Sequence, residues 1–271
     1  MNDLVTKGQA FHALHQRPGA FVIPNPWDIG SARMLHALGF EALATTSAGF
    51  AHAHGCRDGG VTLAQKIAHC TALAAATPLP LSADLENGFA DEPKSVARNI
   101  LAVAASGIVG ASIEDYTGDA TRPIYDFTLA VERIQAAAEA VHGLPYPFLL
   151  TARAENLLRG VHDLDDTIAR LLAYSAAGAD VLFAPGLANL EDVRAVVAAV
   201  NRPLNVLAPM VKGATVAQLA DAGVKRVSVG GALARAATTA FLHAARALRE
   251  PGQLDWTTGL ASLSEVESLL A

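Results

Sequence analysis

Eight short apolar runs alternate with stretches of helical periodicity along nearly the whole chain, and this alternation constrains the fold most strongly. It indicates a parallel sheet with helical crossovers, because parallel neighbours cannot be joined by a tight turn. The runs, interpreted as strands, are 21–25, 41–47, 79–86, 107–115, 148–155, 179–186, 203–209 and 225–231. Eight strand–helix units of roughly 30 residues each match the size of a (β/α)8 barrel.

The predicted fold class is therefore α/β, a (β/α)8 TIM barrel. A doubly wound open sheet is the alternative, but it usually has fewer strands and a glycine-rich phosphate loop after the first strand. This chain has NPWDIGS there. One domain is predicted over 1–271, since no linker divides the chain, with an extra N-terminal helix over 1–17 and a C-terminal tail and helix over 252–271.

Composition narrows the class of ligand. A formal net charge of −6 argues against a nucleic-acid or anionic-membrane surface, because phosphate binding needs clustered Lys and Arg. No apolar run reaches the roughly 20 residues of a membrane span, and the N-terminus has no signal-peptide pattern. Two cysteines, Cys56 and Cys70, are too few for a disulfide framework, so free thiols and a cytoplasmic location are expected. A small-molecule partner is the remaining expectation.

Three carboxylates stand where two neighbouring strands are predicted to end. Asp84 and Glu86 lie at the end of the third run, in PLSADLENGFAD, and Glu114 lies at the end of the fourth, just before Asp115. Residues two apart on a strand share a face, so all three acids are expected to converge at the barrel mouth. Such acids repel unless a cation lies between them, and oxygen ligands without His or Cys favour Mg²⁺, or Mn²⁺, over Zn²⁺. The alternative is that the acids merely begin the next helices.

Arg153 lies near the end of the fifth run, in TARAE. An arginine at the end of a buried strand needs a partner, and its planar fork suits a carboxylate or a phosphoryl group. A structural pair with Glu155 or Glu114 is the alternative. Trp27, after the first run, either walls a pocket or plugs the barrel.

Four segments together resemble the isocitrate lyase / phosphoenolpyruvate mutase superfamily, in the same order and over nearly the whole chain. They are NPWDIGSARMLHALGFEALATTSAGFA, SADLENGF, ASIEDYTGD and TARAENLLRG. The resemblance implies a (β/α)8 barrel whose last helix is commonly swapped with a neighbour, a homodimer or homotetramer, and Mg²⁺ at the strand ends. It also implies chemistry that cleaves or forms a bond beside a 2-oxo acid, through an enolate of pyruvate type.

The superfamily's functional residues can be placed where its motifs match this chain. Its metal-site acids fall on Asp84, Glu86 and Glu114, with Asp58 as a further acid near the ion and the substrate. Its carboxylate pocket falls on Thr46, Ser47 and Ala48, and its substrate-binding arginine on Arg153. The resemblance thus implies catalytic roles for Asp58, Glu114 and Arg153, and substrate contacts for Trp27, Thr46, Ser47, Ala48, Asp84 and Arg153.

The loop after the fourth strand departs from the superfamily. Isocitrate and methylisocitrate lyases resemble one another there in a Lys-Cys-Gly-His segment whose cysteine serves in acid–base chemistry, and the mutase and phosphonopyruvate hydrolase members tend to carry a Lys-rich loop with Asn. This chain reads EDYTGDATRPIYDF and has neither. Tyr116, Arg122 and Tyr125 are the residues that remain to gate the site or to protonate.

The sequence predicts a Mg²⁺-dependent lyase, decarboxylase or hydrolase for a small 2-oxo or 2-hydroxy dicarboxylate, with oxaloacetate-like substrates first. Isocitrate lyase activity is not expected without the Lys-Cys-Gly-His loop. The alternatives are a non-catalytic 2-oxo acid binder, a phosphonopyruvate-type enzyme acting on a P–C bond, and a Schiff-base aldolase. An aldolase needs a lysine inside the barrel, and among five lysines only Lys212 follows a strand closely.

Overall fold

Eight parallel strands surrounded by helices form the fold in the computed structural model, which describes residues 2–250 and 252–271. The strands are β1 Phe21–Ile23, β2 Leu43–Ala44, β3 Leu81–Asp84, β4 Gly110–Glu114, β5 Leu149–Arg153, β6 Val181–Phe183, β7 Leu204–Leu207 and β8 Arg226–Ser228. They pair in the order β1-β8-β7-β6-β5-β4-β3-β2. Each lies within one of the eight predicted runs, and the predicted (β/α)8 TIM barrel is confirmed.

The helices follow the strands in alternation, as the barrel requires. They are α1 Asn2–Gln16, α2 Ile29–Ala37, α3 Ser47–Ala53, α4 Leu63–Ala76, α5 Pro93–Ala104, α6 Phe127–His142, α7 Leu164–Ala176, α8 Leu190–Ala199, α9 Val216–Asp221, α10 Ala232–Arg249 and α11 Leu263–Leu270. Short 3-10 helices lie at Ala208–Met210 and Asp255–Thr257. That residues 1–271 form a single domain stays a prediction.

Hydrogen bonds join β1 to β2, the two strands at the ends of the pairing order. The Ala44 amide donates to the Pro24 carbonyl at 3.1 Å. The Asn25 side chain donates to the Ala44 carbonyl at 3.1 Å and accepts from the Gly230 amide at 2.8 Å. Asn25 thus links β2 to the segment after β8, and the sheet is nearly closed into a barrel.

Helix α1 covers the N-terminal end of the barrel. Its Phe11 and Leu14 pack with Phe21 of β1 and Leu149 of β5 in a small apolar cluster. Gly110 of β4 leaves room for this packing, because a Cβ at that position would lie 2.8 Å from the Phe11 ring. The barrel interior is therefore shut at this end, and a ligand must enter from the C-terminal ends of the strands.

Helix α10 extends away from the barrel with apolar side chains uncovered. Phe241 is 68% exposed and Leu248 is 53% exposed. Within the described residues, the element that α10 contacts most is the 3-10 helix Asp255–Thr257. The following helix, α11, packs on α2 instead. The exchange of a C-terminal helix between neighbouring subunits stays a prediction.

Two expectations drawn from composition can be compared with the structure. Cys56 and Cys70 are both free thiols, as predicted, and Cys70 is buried. Over the ranges that the structure describes, no helix combines the length and the apolar character needed to cross a membrane.

Two buried histidines should contribute stability that is lost in mild acid. Burial lowers the pKa of His15 to about 3 and the pKa of His69 to about 4. Because these values lie below the unfolded value of 6.5, the stability they contribute is present above pH 6.5 and is lost as the pH falls toward 4. We expect the contribution of each histidine to the free energy of unfolding to fall between pH 6 and 5 by up to about 1.4 kcal/mol per pH unit.

Urea unfolding of the wild type and of His15→Gln at pH 7, 6 and 5 measures this effect. The slope of the free energy of unfolding against pH should be lower in the variant than in the wild type by up to about 1.4 kcal/mol per pH unit, since one of the two histidines is gone. A slope that is the same in both proteins would contradict the assignment.

Candidate active site

A cavity of about 190 Å³ lies at the C-terminal ends of the strands. Most of the residues predicted for the site line it, namely Thr46, Ser47, Ala48, Asp58, Asp84 and Arg153. Deeper in the barrel it is lined by polar side chains as well, among them Ser82, Ser112, Asn205, Arg226 and Ser228. Pockets for drug-sized ligands are commonly about 300–1,000 Å³, so this cavity suits a small molecule.

Asp84 lies at the end of β3, and hydrogen bonds fix its position. Its Oδ2 accepts from the Ser47 amide at 3.0 Å, and its own amide donates to Thr45 Oγ1 at 2.9 Å. Burial raises the pKa of Asp84, but the charges of Arg153 and Lys66 outweigh burial and the net shift is downward. Asp84 is therefore an ionised carboxylate that faces the cavity.

Arg153 at the end of β5 is the centre of a buried ionic network. Its Nη1 lies 3.2 Å from Glu114 Oε2 and 3.9 Å from Asp84 Oδ1, and its Nε donates to Glu155. Burial alone would lower the pKa of Arg153, but these carboxylates raise it, so the guanidinium stays charged. Both structural pairings considered for Arg153, with Glu155 and with Glu114, are present, and the residue also lines the cavity.

Arg159 is a member of this network that sequence reasoning missed. Its Nε donates to Glu155 Oε2 at 2.9 Å, and its Nη2 lies 3.5 Å from Glu114 Oε1. Its guanidinium carbon lies 3.5 Å from the centre of the Tyr116 ring. The available signal was its position four residues after Glu155 in TARAENLLRG. Arg153 and Arg159 thus both contact Glu114 and Glu155. Glu114 therefore faces guanidinium groups and not the cavity.

Glu86 does not share a face with Asp84, contrary to the parity argument. That argument requires the strand to continue to residue 86, but β3 ends at Asp84 and Glu86 has a left-handed backbone with φ 51°. Its Oε1 is buried without a hydrogen-bond partner. Burial and then the charge of Asp84 raise the pKa of Glu86 to about 7.

The three acids predicted to hold a metal are therefore not gathered symmetrically. Among the described residues, no group of three or more His, Cys, Asp or Glu side chains is arranged so that it could hold an ion. Asp84 faces the cavity, Glu114 contacts Arg153 and Arg159, and Glu86 lies outside the cavity lining.

Lys66 of α4 is a second residue that sequence reasoning missed. Its side chain is fully buried and its Nζ has no hydrogen-bond partner in the described part of the chain. Its charge helps to lower the pKa of Asp84 and opposes the upward shift of the Glu86 pKa. The helical spacing of TLAQKIAHC places it on the face that also buries Cys70, so the sequence pattern alone indicated a core position.

The loop residues predicted for the site are divided between the cavity and its surroundings. Asp58 is exposed but lines the cavity, as Ser47 does. Trp27 is not part of the cavity lining, and lines a depression between α2, α3 and α4 instead. Lys212 is exposed and does not line the cavity, so no lysine is placed there for an aldolase.

The segment after β4 is fixed by contacts outside the cavity. Tyr116 pairs with Ile124 in an isolated antiparallel bridge. Tyr125 donates a hydrogen bond to Asp91 in the loop after β3, and Arg133 packs 4.1 Å from the centre of the Tyr125 ring. None of the residues in the loop, Arg122 included, lines the cavity. An acid–base group from this loop is not in place in this arrangement.

Comparisons with known proteins agree with this fold. A solved structure of a candidate lyase/mutase from Burkholderia cenocepacia J2315 is 51% identical, covers 100% of this chain and 98% of its own, and superposes with a TM-score of 0.96. An uncharacterized protein of Mycobacterium tuberculosis is 36% identical over 94% of each chain. A 2-methylisocitrate lyase of Shewanella oneidensis is 31% identical, over 82% of this chain and 78% of its own.

Further relatives carry the names of related activities. An oxaloacetate decarboxylase of Rhodopseudomonas palustris is 29% identical, over 74% of this chain and 70% of its own. The family model described as phosphoenolpyruvate phosphomutase matches residues 11–249, which is most of the chain. The relatives with named activities and the family model include lyases, a mutase and a hydrolase, so a lyase-type enzyme is the function class that they support. The chain belongs to the phosphoenolpyruvate mutase family, within the isocitrate lyase superfamily.

Proposed function

We propose that this chain is a Mg²⁺-dependent lyase, decarboxylase or hydrolase that breaks a bond next to the carbon that carries the oxo or hydroxy group of a small 2-oxo or 2-hydroxy dicarboxylate. Oxaloacetate is the first substrate to test. The observation that carries the proposal is the pairing of Asp84 with Arg153 on one small cavity at the barrel mouth. The named relatives, among them oxaloacetate decarboxylase, support the same class of substrate.

Arg153 would bind the substrate carboxylate. Its guanidinium is charged, lines the cavity and is held rigidly by Glu155 and Glu114, so it can donate to a ligand without losing much side-chain freedom. Thr46, Ser47 and Ala48 line the same cavity at the start of α3, where the Ser47 amide is already bonded to Asp84 and the hydroxyl groups of Thr46 and Ser47 would contact the ligand. These residues would orient the acid so that its reacting bond lies toward Asp84.

The oxygen donors on and beside the cavity suit a hard divalent cation, Mg²⁺ or Mn²⁺, although the three predicted acids are not gathered around one point. Asp84 is ionised and faces the cavity, Asp58 lines it, and Glu86 has a buried oxygen without a partner and a pKa raised to about 7 by burial and by Asp84. Crowded acids of this kind are relieved by a cation with oxygen ligands. Asp84 and Glu86 would hold the ion, with Glu114 and Asp58 nearby. When bound, Mg²⁺ would stabilise negative charge on the 2-oxo group.

Glu114 would position the site and hold a proton. Burial raises the pKa of Glu114 well above its usual value, although Arg153 and Arg159 oppose this shift. A carboxyl with a raised pKa can exist in its neutral form near neutral pH. Glu114 contacts the arginine that would bind the substrate, so its charge also sets how strongly Arg153 attracts an acid.

Turnover on a panel of 2-oxo and 2-hydroxy acids, with Mg²⁺ and with EDTA, tests the proposal. We expect product from at least one dicarboxylate with Mg²⁺, loss of that product with EDTA, and its return when Mg²⁺ is added in excess. Turnover that EDTA does not change would reject the mechanism.

A non-catalytic 2-oxo acid binder is the second candidate. It is favoured by one observation, the absence of a Lys-Cys-Gly-His segment from the loop after β4, where the cavity receives no acid–base group. This candidate predicts calorimetric binding of a 2-oxo acid with no product over hours at high enzyme concentration. The panel above distinguishes the two, since only the enzyme consumes its ligand.

We further propose that the protein is a homodimer or homotetramer in which the apolar face of α10 packs on a second copy of this chain. Phe241 and Leu248 expose on that helix the kind of area that a neighbouring subunit normally covers. Phe241→Asp should shift the protein toward the monomer in light scattering, whereas Thr239→Asp, a change at another exposed site of α10, should not. A wild-type monomer at about 10 μM, well above typical nM affinities of stable interfaces, would contradict the proposal.

A further inference from the structure

Arg226 is a buried cation on the cavity wall whose five N–H donors are only partly used. It is 4% exposed and lines the cavity. Its Nε donates to Asn205 Oδ1 at 2.9 Å, and its Nη2 donates to Thr151 Oγ1 at 2.9 Å. Its Nη1 has no hydrogen-bond partner within the described ranges. Two neutral side chains from β7 and β5 therefore orient the guanidinium and leave part of it free.

No carboxylate in the described structure neutralises this charge. Arg153 and Arg170 each lie 3.2 Å from an acid, whereas Arg226 contacts only an amide and a hydroxyl. Burial lowers the pKa of Arg226 to about 9, so the residue remains a cation at neutral pH. An isolated buried charge is costly to a fold. A ligand that brings an anion next to Arg226 would offset this cost.

The position of Arg226 relative to Arg153 defines a span inside the cavity. Arg226 reaches the side chain of Thr151, which lies two residues before Arg153 on β5 and on the same face. Two residues along a strand correspond to roughly 6.6 Å. Ser82 and Ser112 line the space at this depth. The cavity thus carries one guanidinium near its mouth and another below it, with hydroxyl groups between them.

We propose that Arg226 binds the second carboxylate of a short dicarboxylate whose oxo-acid end lies at Arg153 and Asp84. The orientation of the ligand rests on the proposed function. The guanidinium donates to the distal carboxylate from the cavity wall, and Asn205 and Thr151 hold it in place. The pair of arginines then selects diacids over monoacids of the same length, because a monoacid leaves the Arg226 charge without a partner.

The alternative role for Arg226 is structural, toward His15 of α1 at the N-terminal end of the barrel. His15 is close enough that the Arg226 charge helps to lower its pKa, and its Nε2 also lacks a partner. If Arg226 served only to support this end of the barrel, Arg226→Met would alter thermal stability and leave the choice between ligands unchanged.

The test compares malate with 2-hydroxybutanoate, which has a methyl group where malate has its second carboxylate. Calorimetric titrations with Mg²⁺ present would be made on the wild type, Arg226→Met, Arg226→Lys and the control Lys212→Met, which removes an exposed positive charge. A charged hydrogen bond corresponds to about 10- to 100-fold in affinity, so we expect the wild type to prefer malate by that factor. Arg226→Met should lose the preference, Arg226→Lys should keep part of it, and Lys212→Met should keep all of it.

The outcomes separate this inference from the proposed function. Equal binding of the two acids by the wild type, or an unchanged preference in Arg226→Met, overturns the role of Arg226 and leaves the oxo-acid site intact. If the wild type binds neither malate nor 2-hydroxybutanoate and also binds no 2-oxo acid of the panel, the proposed function is overturned instead. If Arg226→Met does not fold, Arg226→Lys carries the test, and full wild-type preference in that variant together with reduced stability would support the structural role and reject the inference.

Discussion

Replacing Arg153 with methionine should lower turnover by about 1,000-fold, because the substrate carboxylate and Glu114 both lose the cation that faces them. The same change should destabilise the fold by about 3–5 kcal/mol, as is usual when one partner of a buried ion pair is removed. The loss of stability should depend on pH. The pKa of Glu114, already raised by burial, rises further without Arg153, so the variant is less stable at pH 8 than at pH 5.

Turnover assays and urea unfolding at both pH values check this prediction. Arg98→Met is the matched control, since Arg98 is an exposed arginine on α5 away from the cavity. The double variant Arg153→Met/Glu155→Gln should regain part of the stability and none of the turnover, which separates the two effects. Substantial turnover in Arg153→Met would contradict the assignment of the carboxylate site.

Changing Asp84 to asparagine should remove Mg²⁺-dependent turnover almost completely. Asparagine retains the shape and can still accept from the Ser47 amide, but it lacks the charge that a hard cation requires. Loss of a metal ligand typically costs more than the roughly 10- to 100-fold that outer-shell changes cost. We therefore expect a decrease of more than about 100-fold that added Mg²⁺ does not reverse.

Asp126→Asn is the control for this second prediction. Asp126 is an exposed acid that precedes α6 and makes no capping hydrogen bond with its side chain, so its replacement should not alter turnover. Initial rates over a range of Mg²⁺ concentrations distinguish a weakened metal site from a lost one. Wild-type rates in Asp84→Asn at any Mg²⁺ concentration would reject the metal assignment.

The fold was predictable because its signals are local. Each strand is a short apolar run, each is followed by a helical period, and the count of eight leaves few topologies. Asp84 and Arg153 were found for the same reason, since both are charged residues at the last position of a buried strand. Strand ends were the least predictable feature, and an end at Asp84 rather than residue 86 moved Glu86 off the predicted face.

The interior of the cavity was less predictable because long-range contacts define it. Arg226 is held by Thr151 and Asn205, which lie 75 and 21 residues away in the sequence. An arginine at the start of a strand can point inward or outward, and only the register between β8, β7 and β5 decides. The network of Arg153 and Arg159 with two acids likewise depends on how the loop after β5 folds back.

Diffraction from crystals grown with Mg²⁺ and oxalate, a small acid that resembles the oxo-carboxylate end of the substrate, tests the central claim most directly. We expect oxalate inside the cavity, with one end at the Arg153 guanidinium and an ion between it and Asp84. Clear density for the protein at that site with no density for oxalate or an ion, in crystals grown with Mg²⁺ and oxalate in large excess, would contradict the proposed metal and carboxylate site.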